Sequence, residues 1–189
     1  MRRLLIIIFI TSFALQAKAQ LLAVNTDVAM DAIMSPSVGV EIVMGKKSSL
    51  NINGMFGKNL FGRDVRFNAI QPEWRIYMSG RPMYHHYCGI IGLLTSYKTK
   101  YDNKWHDGDG GGIGVSLGYV LPLTDRLSID FHTSLGAFFY HQKEYEAEAG
   151  YDYDTDIDHI NDDGYPVANA HGTRFIPLRI GISVAYTIK

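Results

Sequence analysis

Seven charged or titratable residues fall on the polar face of the predicted strands, where charge pairing or acid–base chemistry can be organised. They are Asp27, Glu41, Glu73, Arg75, Asp130, His132 and Arg179. Glu73 and Arg75 lie two positions apart, so their side chains face the same side of a strand. Charged groups that share a dry interior must pair, because an unpaired buried charge costs several kcal/mol. We therefore expect a charge network, with Arg179 among the carboxylates.

This network predicts a closed lumen if the strands form a small barrel. The interior of an eight-stranded barrel is only wide enough for side chains to fill it. A plug of paired charges is the interpretation that we favour. A narrow, gated conduit is the alternative.

The segment from Glu144 to Asp163 is rich in acids and contains neither Lys nor Arg. Aspartates occupy alternate positions in it: Asp152, Asp154, Asp156 and Asp158. This spacing resembles the ligand spacing of calcium loops, and the EF-hand loop, counted here from Asp152, needs Gly at its sixth position and Glu at its twelfth. Those positions hold Ile157 and Asp163, so the match fails. A solvated acidic loop is the simplest interpretation, with a cation site or a tyrosine-rich partner surface as alternatives.

Asp130, His132 and Ser134 have the residue types of a nucleophile–base–acid set and share one face of a predicted strand. Alternate residues of a strand lie nearly 7 Å apart, which is too wide for a direct Ser–His hydrogen bond. The segment Trp105–Gly112 is predicted to be an outer loop, and it lacks the Lys and Ser/Thr of a phosphate loop. We predict no enzyme, no metal and no cofactor, with a lipid-modifying enzyme as the alternative.

The elements that position these residues are strands, because apolar and polar residues alternate with a period of two. In the last segment every even-numbered residue from Ile176 to Ile188 is apolar, which predicts one continuous apolar face. Comparable segments are Ala23–Met30, Val38–Met44, Leu50–Asn53, Ile70–Met78, Tyr84–Tyr97, Gly112–Leu121 and Leu127–Phe139. Pro72 interrupts one of them and predicts a bulge.

The connections between these strands alternate in length. The tight turns are Gly45–Ser48, Ser79–Pro82 and Pro122–Asp125, and the longer loops are Phe56–Val65, Tyr101–Gly111 and Glu144–Thr173. Short turns at one end and long loops at the other are typical of outer-membrane barrels. We predict an all-β fold, an eight-stranded antiparallel up-and-down transmembrane β-barrel. A soluble periplasmic ligand-binding barrel with its apolar face inside is the alternative.

The first residues predict export. Basic Met1–Arg3 precedes the apolar stretch Leu4–Leu15 and the small-x-small site Ala17–Ala19, as in a secretory signal peptide. We predict a signal peptide over 1–19, cleaved after Ala19, and a single barrel domain over 20–189 in the outer membrane of a Gram-negative bacterium. The single cysteine, Cys88, excludes an intramolecular disulfide, and the net charge of −1 provides no basic nucleic-acid footprint.

Five segments carry a family resemblance: Asn25–Asp27, Ser35–Glu41, Gln71–Arg75, Gly114–Tyr119 and Ala185–Lys189. In these the chain resembles the uncharacterised family of small Bacteroidetes outer-membrane proteins called domain of unknown function 3575. The resemblance covers nearly the whole mature chain. It implies an eight-stranded barrel, a fimbrial or envelope-assembly context, and no catalytic residue to transfer.

The last strand also resembles a recognition signal. Arg179-x-Gly181-x-x-Val184-x-Tyr186 is similar to the polar-x-Gly-x-x-apolar-x-aromatic signal of the outer-membrane assembly machinery, here through Gly181 and Tyr186. The predicted partners are outer-membrane lipid, this machinery and a surface or fimbrial protein, but no nucleic acid. The predicted function is that of a structural or surface-interaction protein.

Overall fold

The computed structural model describes residues 21–32, 34–58, 65–101, 104–146 and 168–188. Within these ranges the chain forms eight strands and one short helix, α1 (Val28–Ala32), between the first two strands. The strands are β1 (Leu22–Asp27), β2 (Ser37–Val43), β3 (Ser48–Lys58), β4 (Val65–Tyr77), β5 (His85–Tyr101), β6 (Lys104–Pro122), β7 (Leu127–Glu146) and β8 (Ala168–Ile188). In the described part, no helix is long and apolar enough to cross a membrane.

Each strand pairs antiparallel with the next along the chain, and β1 pairs with β8 to close the barrel. The prediction of an all-β fold with eight antiparallel strands is therefore confirmed. The strands differ widely in length, from six residues in β1 to 21 in β8. The barrel wall is consequently low at β1 and β2 and tall from β5 to β8.

The two ends of the barrel have different connections. We call the end with the connections 44–47, 78–84 and 123–126 the turn end, and the opposite end the loop end. The predicted long loop Tyr101–Gly111 is wrong, because β5 and β6 stay paired along this stretch, up to Tyr101 opposite Lys104. Trp105–Gly112 is thus strand. Its glycines leave room for the neighbouring strands: a Cβ at Gly110 would overlap the Phe138 ring.

Polar residues face inward and apolar residues face outward along most of the strands. On β4, for example, Gln71, Glu73 and Arg75 are each 1% exposed, whereas Trp74 and Ile76 are 42% and 49% exposed. This is the reverse of the pattern in a soluble barrel, which buries its apolar face.

The predicted bulge at Pro72 is wrong. The β4–β5 register is the same on both sides of Pro72, with Ile70 opposite Leu94 and Glu73 opposite Ile91. A Cβ at Gly92 would lie 3.3 Å from the Pro72 ring, so a glycine at this position accommodates the proline without a register shift.

The bulge lies instead in β8. Ser134 pairs with Arg179 and Leu135 pairs with Pro177, so Leu178 is an extra residue. Leu178 and Arg179 are both buried, at 6% exposed each. The predicted continuous apolar face of β8 is therefore wrong above the bulge, because Ile176 and Leu178 pack inside the barrel.

The first strand is shorter than predicted. It ends at Asp27, whose Oδ1 accepts hydrogen bonds from the N–H groups of Ala29 (3.2 Å) and Met30 (3.3 Å). A side-chain oxygen at this position caps the first turn of a helix. Residues that were predicted to extend the strand therefore form α1.

The interior has three layers from the turn end to the loop end. The turn-end cluster consists of Tyr77, Tyr87 and Val120. The next layer toward the loop end consists of the buried polar residues, which form the candidate site. The loop-end apolar cluster consists of Met55, Ala69, Ile91, Leu93 and Leu178, with Met30 of α1 packed against it.

Candidate functional site

Arg75 occupies the centre of the buried polar layer and is 1% exposed. Its Nη1 lies 3.0 Å from Glu41 Oε2 on β2 and 2.8 Å from Asp130 Oδ2 on β7. Its Nε and Nη2 lie 2.9 and 2.8 Å from Glu73 Oε2 on its own strand. One guanidinium group therefore connects three strands across the lumen.

A second part of the network surrounds Arg179. Its Nη1 lies 3.4 Å from Glu73 Oε2, and its Nη2 lies 3.9 Å from Asp27 Oδ2. His132 Nε2 lies 2.9 Å from the same Asp27 oxygen, and His132 Nδ1 lies 3.9 Å from Asp130 Oδ2. The structure thus brings all seven predicted residues into one connected cluster.

Two tyrosines complete the acidic side of the network, and the sequence reasoning missed both. The Tyr77 hydroxyl donates to Glu41 Oε1 at 2.6 Å, and the Tyr87 hydroxyl donates to Asp130 Oδ1 at 3.1 Å. The Tyr87 ring also lies 4.5 Å from the Arg75 guanidinium carbon. The sequence did contain a signal for Tyr77: it lies two positions after Arg75, so the two side chains face the same side of β4.

Neutral polar side chains also join the network. Ser49 Oγ donates to Glu41 Oε1 at 2.5 Å. With its amide oxygen turned toward the guanidinium groups, Asn51 accepts from Arg75 Nη2 and Arg179 Nη1, both at 3.2 Å. These hydrogen bonds matter because a polar group without a partner in a dry interior lowers the stability of the fold.

Acids outnumber the permanent cations in this cluster. Asp27, Glu41, Glu73 and Asp130 are all at most 4% exposed, and they share Arg75 and Arg179. His132 faces two of these carboxylates and is the remaining group that can carry positive charge. Each arginine is therefore shared among several carboxylates.

Small residues make the space that the network needs. A Cβ at Gly181 would overlap the Asp27 carboxylate, and one at Gly118 would overlap the Tyr87 ring. Gly181 of the predicted assembly signal thus has a structural role in the interior. Tyr186 of the same signal faces outward and is 47% exposed.

The Tyr186 hydroxyl accepts a hydrogen bond from Arg126 Nη1 at 3.3 Å. This bond raises the pKa of Arg126, in the connection before β7, above its usual value. It ties the aromatic residue of the predicted signal to the turn end of the barrel.

The network also holds the helix that lies over it. The Asp27 carboxylate contacts His132 through Oδ2 and caps α1 through Oδ1. Asp31 of the helix accepts hydrogen bonds from Thr26 Oγ1 (2.6 Å) and from the Ser37 N–H (2.9 Å). The β1–β2 connection is therefore fixed at the loop-end side of the polar layer.

A cavity of about 10 Å³ lies at the turn end between Glu41, Asp130, Ser128 and Met83. It has room for at most about one water molecule.

The predicted set Asp130, His132 and Ser134 is not joined by a Ser–His hydrogen bond. Ser134 is buried and its Oγ donates to the Arg179 carbonyl at 3.2 Å, while His132 Nε2 faces Asp27. No three His, Cys, Asp or Glu side chains in the described ranges are arranged to hold a metal. The aspartates at 152, 154, 156 and 158, and the predicted signal peptide, lie outside the described residues.

A family model described as "Protein of unknown function (DUF3575)" matches residues 4–188. Comparison with curated proteins and with solved structures gives no significant match. The match covers nearly the whole chain and confirms the resemblance carried by the Gln71–Arg75 and Gly114–Tyr119 segments. The chain belongs to the DUF3575 family.

Proposed function

We propose that the chain is a small outer-membrane barrel with a side-chain-filled lumen, and that it acts as a structural or surface-interaction protein rather than as an enzyme. The observation that carries this proposal is the outward apolar surface around the barrel. Its members include Ile70, Trp74, Leu94, Val115, Leu117, Phe139 and Ile180, which are between 42% and 63% exposed. A soluble monomer rarely exposes a continuous apolar patch above a few hundred Å².

The height of this apolar belt supports the proposal. On β7 it runs from Ile129 to Phe139, ten steps of about 3.3 Å along the strand. At a tilt of about 40° these steps span roughly 25 Å along the membrane normal. The apolar band of transmembrane barrels is also about 25 Å tall.

The filled interior favours a closed barrel over a conduit. Arg75 and its three carboxylate partners join opposite walls at the middle of the lumen. A conducting path would require these contacts to separate and the carboxylates to be rehydrated. Function is therefore expected at the surface of the barrel rather than through it.

The remaining predictions form part of this proposal. A signal peptide over 1–19 would deliver the chain to the periplasm. The β8 signal with Gly181 and Tyr186 would bring it to the outer-membrane assembly machinery. The turn end then faces the periplasm and the loop end faces outward, with the acidic 147–167 connection available to a surface or fimbrial partner.

Cell fractionation combined with site-specific proteolysis tests this proposal. A specific protease site is inserted into the 147–167 connection, and the matched control carries the same site in the 123–126 turn. We expect the first to be cut in intact cells and the second only after the outer membrane is permeabilised. Recovery of the chain in the soluble periplasmic fraction would refute the membrane proposal.

A further inference from the structure

The three connections at the turn end carry a net positive charge. Their exposed charged residues are four bases and one acid: Lys46, Lys47, Arg81, Arg126 and Asp125. Residues 1–20 precede β1 and residue 189 follows β8 at the same end, and neither segment contains an acid. The turn end is therefore a basic surface.

Two acids on the strands near this end do not offset its charge. Glu41 and Asp130 are 3% and 4% exposed, and both contact Arg75 inside the lumen. Their charge is shared with a buried cation. The exposed bases of the connections thus face the surroundings of the barrel with their charge uncompensated by the interior.

Arg126 lies at the rim of the barrel wall. Its Nη1 donates a hydrogen bond to the hydroxyl of Tyr186 at 3.3 Å, and Tyr186 faces outward from β8. The guanidinium group is therefore held beside the outer surface of the barrel, where the apolar surface meets the turn end.

Arg81 is connected to the outer surface in a similar way. Its guanidinium carbon lies 5.8 Å from the centre of the Tyr84 ring, which stacks on His85 at 4.0 Å. The His85 ring in turn stacks on Tyr119 at 5.6 Å, and Tyr119 has the outward direction of Leu117 on β6. A row of rings thus leads from this base to the barrel wall.

The bases are distributed around the rim rather than gathered in one patch. Lys46 and Lys47 lie between β2 and β3, Arg81 lies between β4 and β5, and Arg126 lies between β6 and β7. An acidic segment of a partner protein would contact one of these positions. A lipid leaflet surrounds the barrel and meets all three.

We propose that the turn end binds the anionic head groups of the phospholipids in the leaflet around it, an inference that rests on the proposed function. Tyrosines of membrane proteins are enriched at the interface between the hydrocarbon and the head groups. Tyr119 and Tyr186 mark this depth, and the bases lie just beyond it, at the level of the phosphates. Each Lys or Arg near an anionic membrane surface increases affinity about fivefold.

The lipid preference around Trp74 tests this inference. Trp74 faces outward near the turn end of β4, where the Tyr77 N–H donates to the Lys47 carbonyl and the 78–84 connection begins. The full-length barrel carries Trp105→Phe, which leaves Trp74 as the single tryptophan. It is reconstituted in vesicles of equal parts phosphatidylcholine and phosphatidylglycerol, with one lipid at a time brominated on its acyl chains. Quenching of the Trp74 fluorescence by bromine gives the relative association constant of the two lipids.

We expect phosphatidylglycerol to associate at least about threefold more strongly than phosphatidylcholine at low salt. The preference should nearly vanish at 1 M salt, where the Debye length is about 3 Å. The triple variant Lys46→Gln, Lys47→Gln and Arg81→Gln should lose it as well. Arg66→Gln is the matched control, because it neutralises an exposed base at the loop end of the same strand and should retain the preference.

Two results would overturn the inference: equal association of the two lipids with the wild type, or an unchanged preference in the triple variant. The first would mean that the basic surface serves another partner, such as an acidic protein. Failure of the proposed function is distinguishable, because a chain that does not insert shows no quenching by brominated phosphatidylcholine. That same quenching verifies that each variant has inserted.

Discussion

The buried network makes Arg75 the most consequential side chain in the lumen. Arg75→Met leaves Glu41, Glu73 and Asp130 without the cation that each contacts at 2.8 to 3.0 Å. At an effective dielectric constant of 20, one pair at 4 Å is worth about 4 kcal/mol. The variant also no longer pays the free energy of removing the guanidinium from water. This gain offsets a large part of the Coulomb energy lost with the three pairs. Breaking a buried pair by removing one partner costs about 3–5 kcal/mol, which is the loss that we expect.

The free energy of unfolding is measured by urea titration of the purified barrel in lipid vesicles, followed by tryptophan fluorescence. Arg81→Met is the matched control, because Arg81 is exposed in the 78–84 turn and should change stability by less than about 0.5 kcal/mol. Arg75→Lys should fall between them, since it keeps the charge but not the paired donors.

A second variant tests whether unpaired charge is the cause. Adding Glu41→Gln and Asp130→Asn to Arg75→Met removes two of the stranded carboxylates, and should restore more than half of the lost stability. If Arg75→Met alone costs less than about 1 kcal/mol, the carboxylates do not depend on Arg75 and the reasoning fails.

Three other substitutions or labels probe the belt and the interior. Gly181→Ala should destabilise the barrel by about 1–3 kcal/mol in the same titration, because its Cβ would displace the Asp27 carboxylate; Gly54→Ala, whose nearest contact is 3.8 Å, should be nearly neutral. Leu117→Arg should cost about 2–4 kcal/mol in vesicles if the belt faces lipid, against about 0–1 kcal/mol for Leu123→Arg in the 123–126 turn; equal costs would contradict the belt. Cys88, opposite the outward residues of β4 and β6, should react in vesicles with a lipid-soluble maleimide but not with a charged one, and the reverse would place it in water.

Alternation was sufficient to predict the strands and the inward charged residues, because burial of one face imposes a period of two. It failed where a single inserted residue changes the phase. Leu178 is that residue in β8, and it turns Ile176 and itself into the barrel. Pro177, an unusual residue in a paired strand, was the only local sign of the irregularity.

Glycine misled the prediction of the β5–β6 connection. Gly110 and Gly112 suggest a loop when they are considered alone. In the barrel they face Phe138 and Leu178, whose side chains use the space that a Cβ would fill. This packing of glycines against large side chains involves β6, β7 and β8, so no local stretch of sequence reveals it. The end of β1 was missed for a similar reason. Aspartate is a residue type that often caps a helix, but the alternation of apolar and polar residues before Asp27 favoured a longer strand.

The difference in strand length has a mechanical consequence. β1 is the strand that closes the ring, and with six residues it is held by the shortest ladders in the barrel. The β1–β2 ladder is the shorter of the two, but the chain itself joins β1 to β2. Force or heat applied to the barrel should therefore separate β1 from β8 before any other pair. Asp27 stands at the end of this seam, and its contact with His132 on β7 reaches across β8. The Asp27–His132 contact holds β1 to the rest of the barrel independently of the β1–β8 ladder. The rate at which the barrel opens should therefore depend on this contact more than on any ladder hydrogen bond of the tall strands.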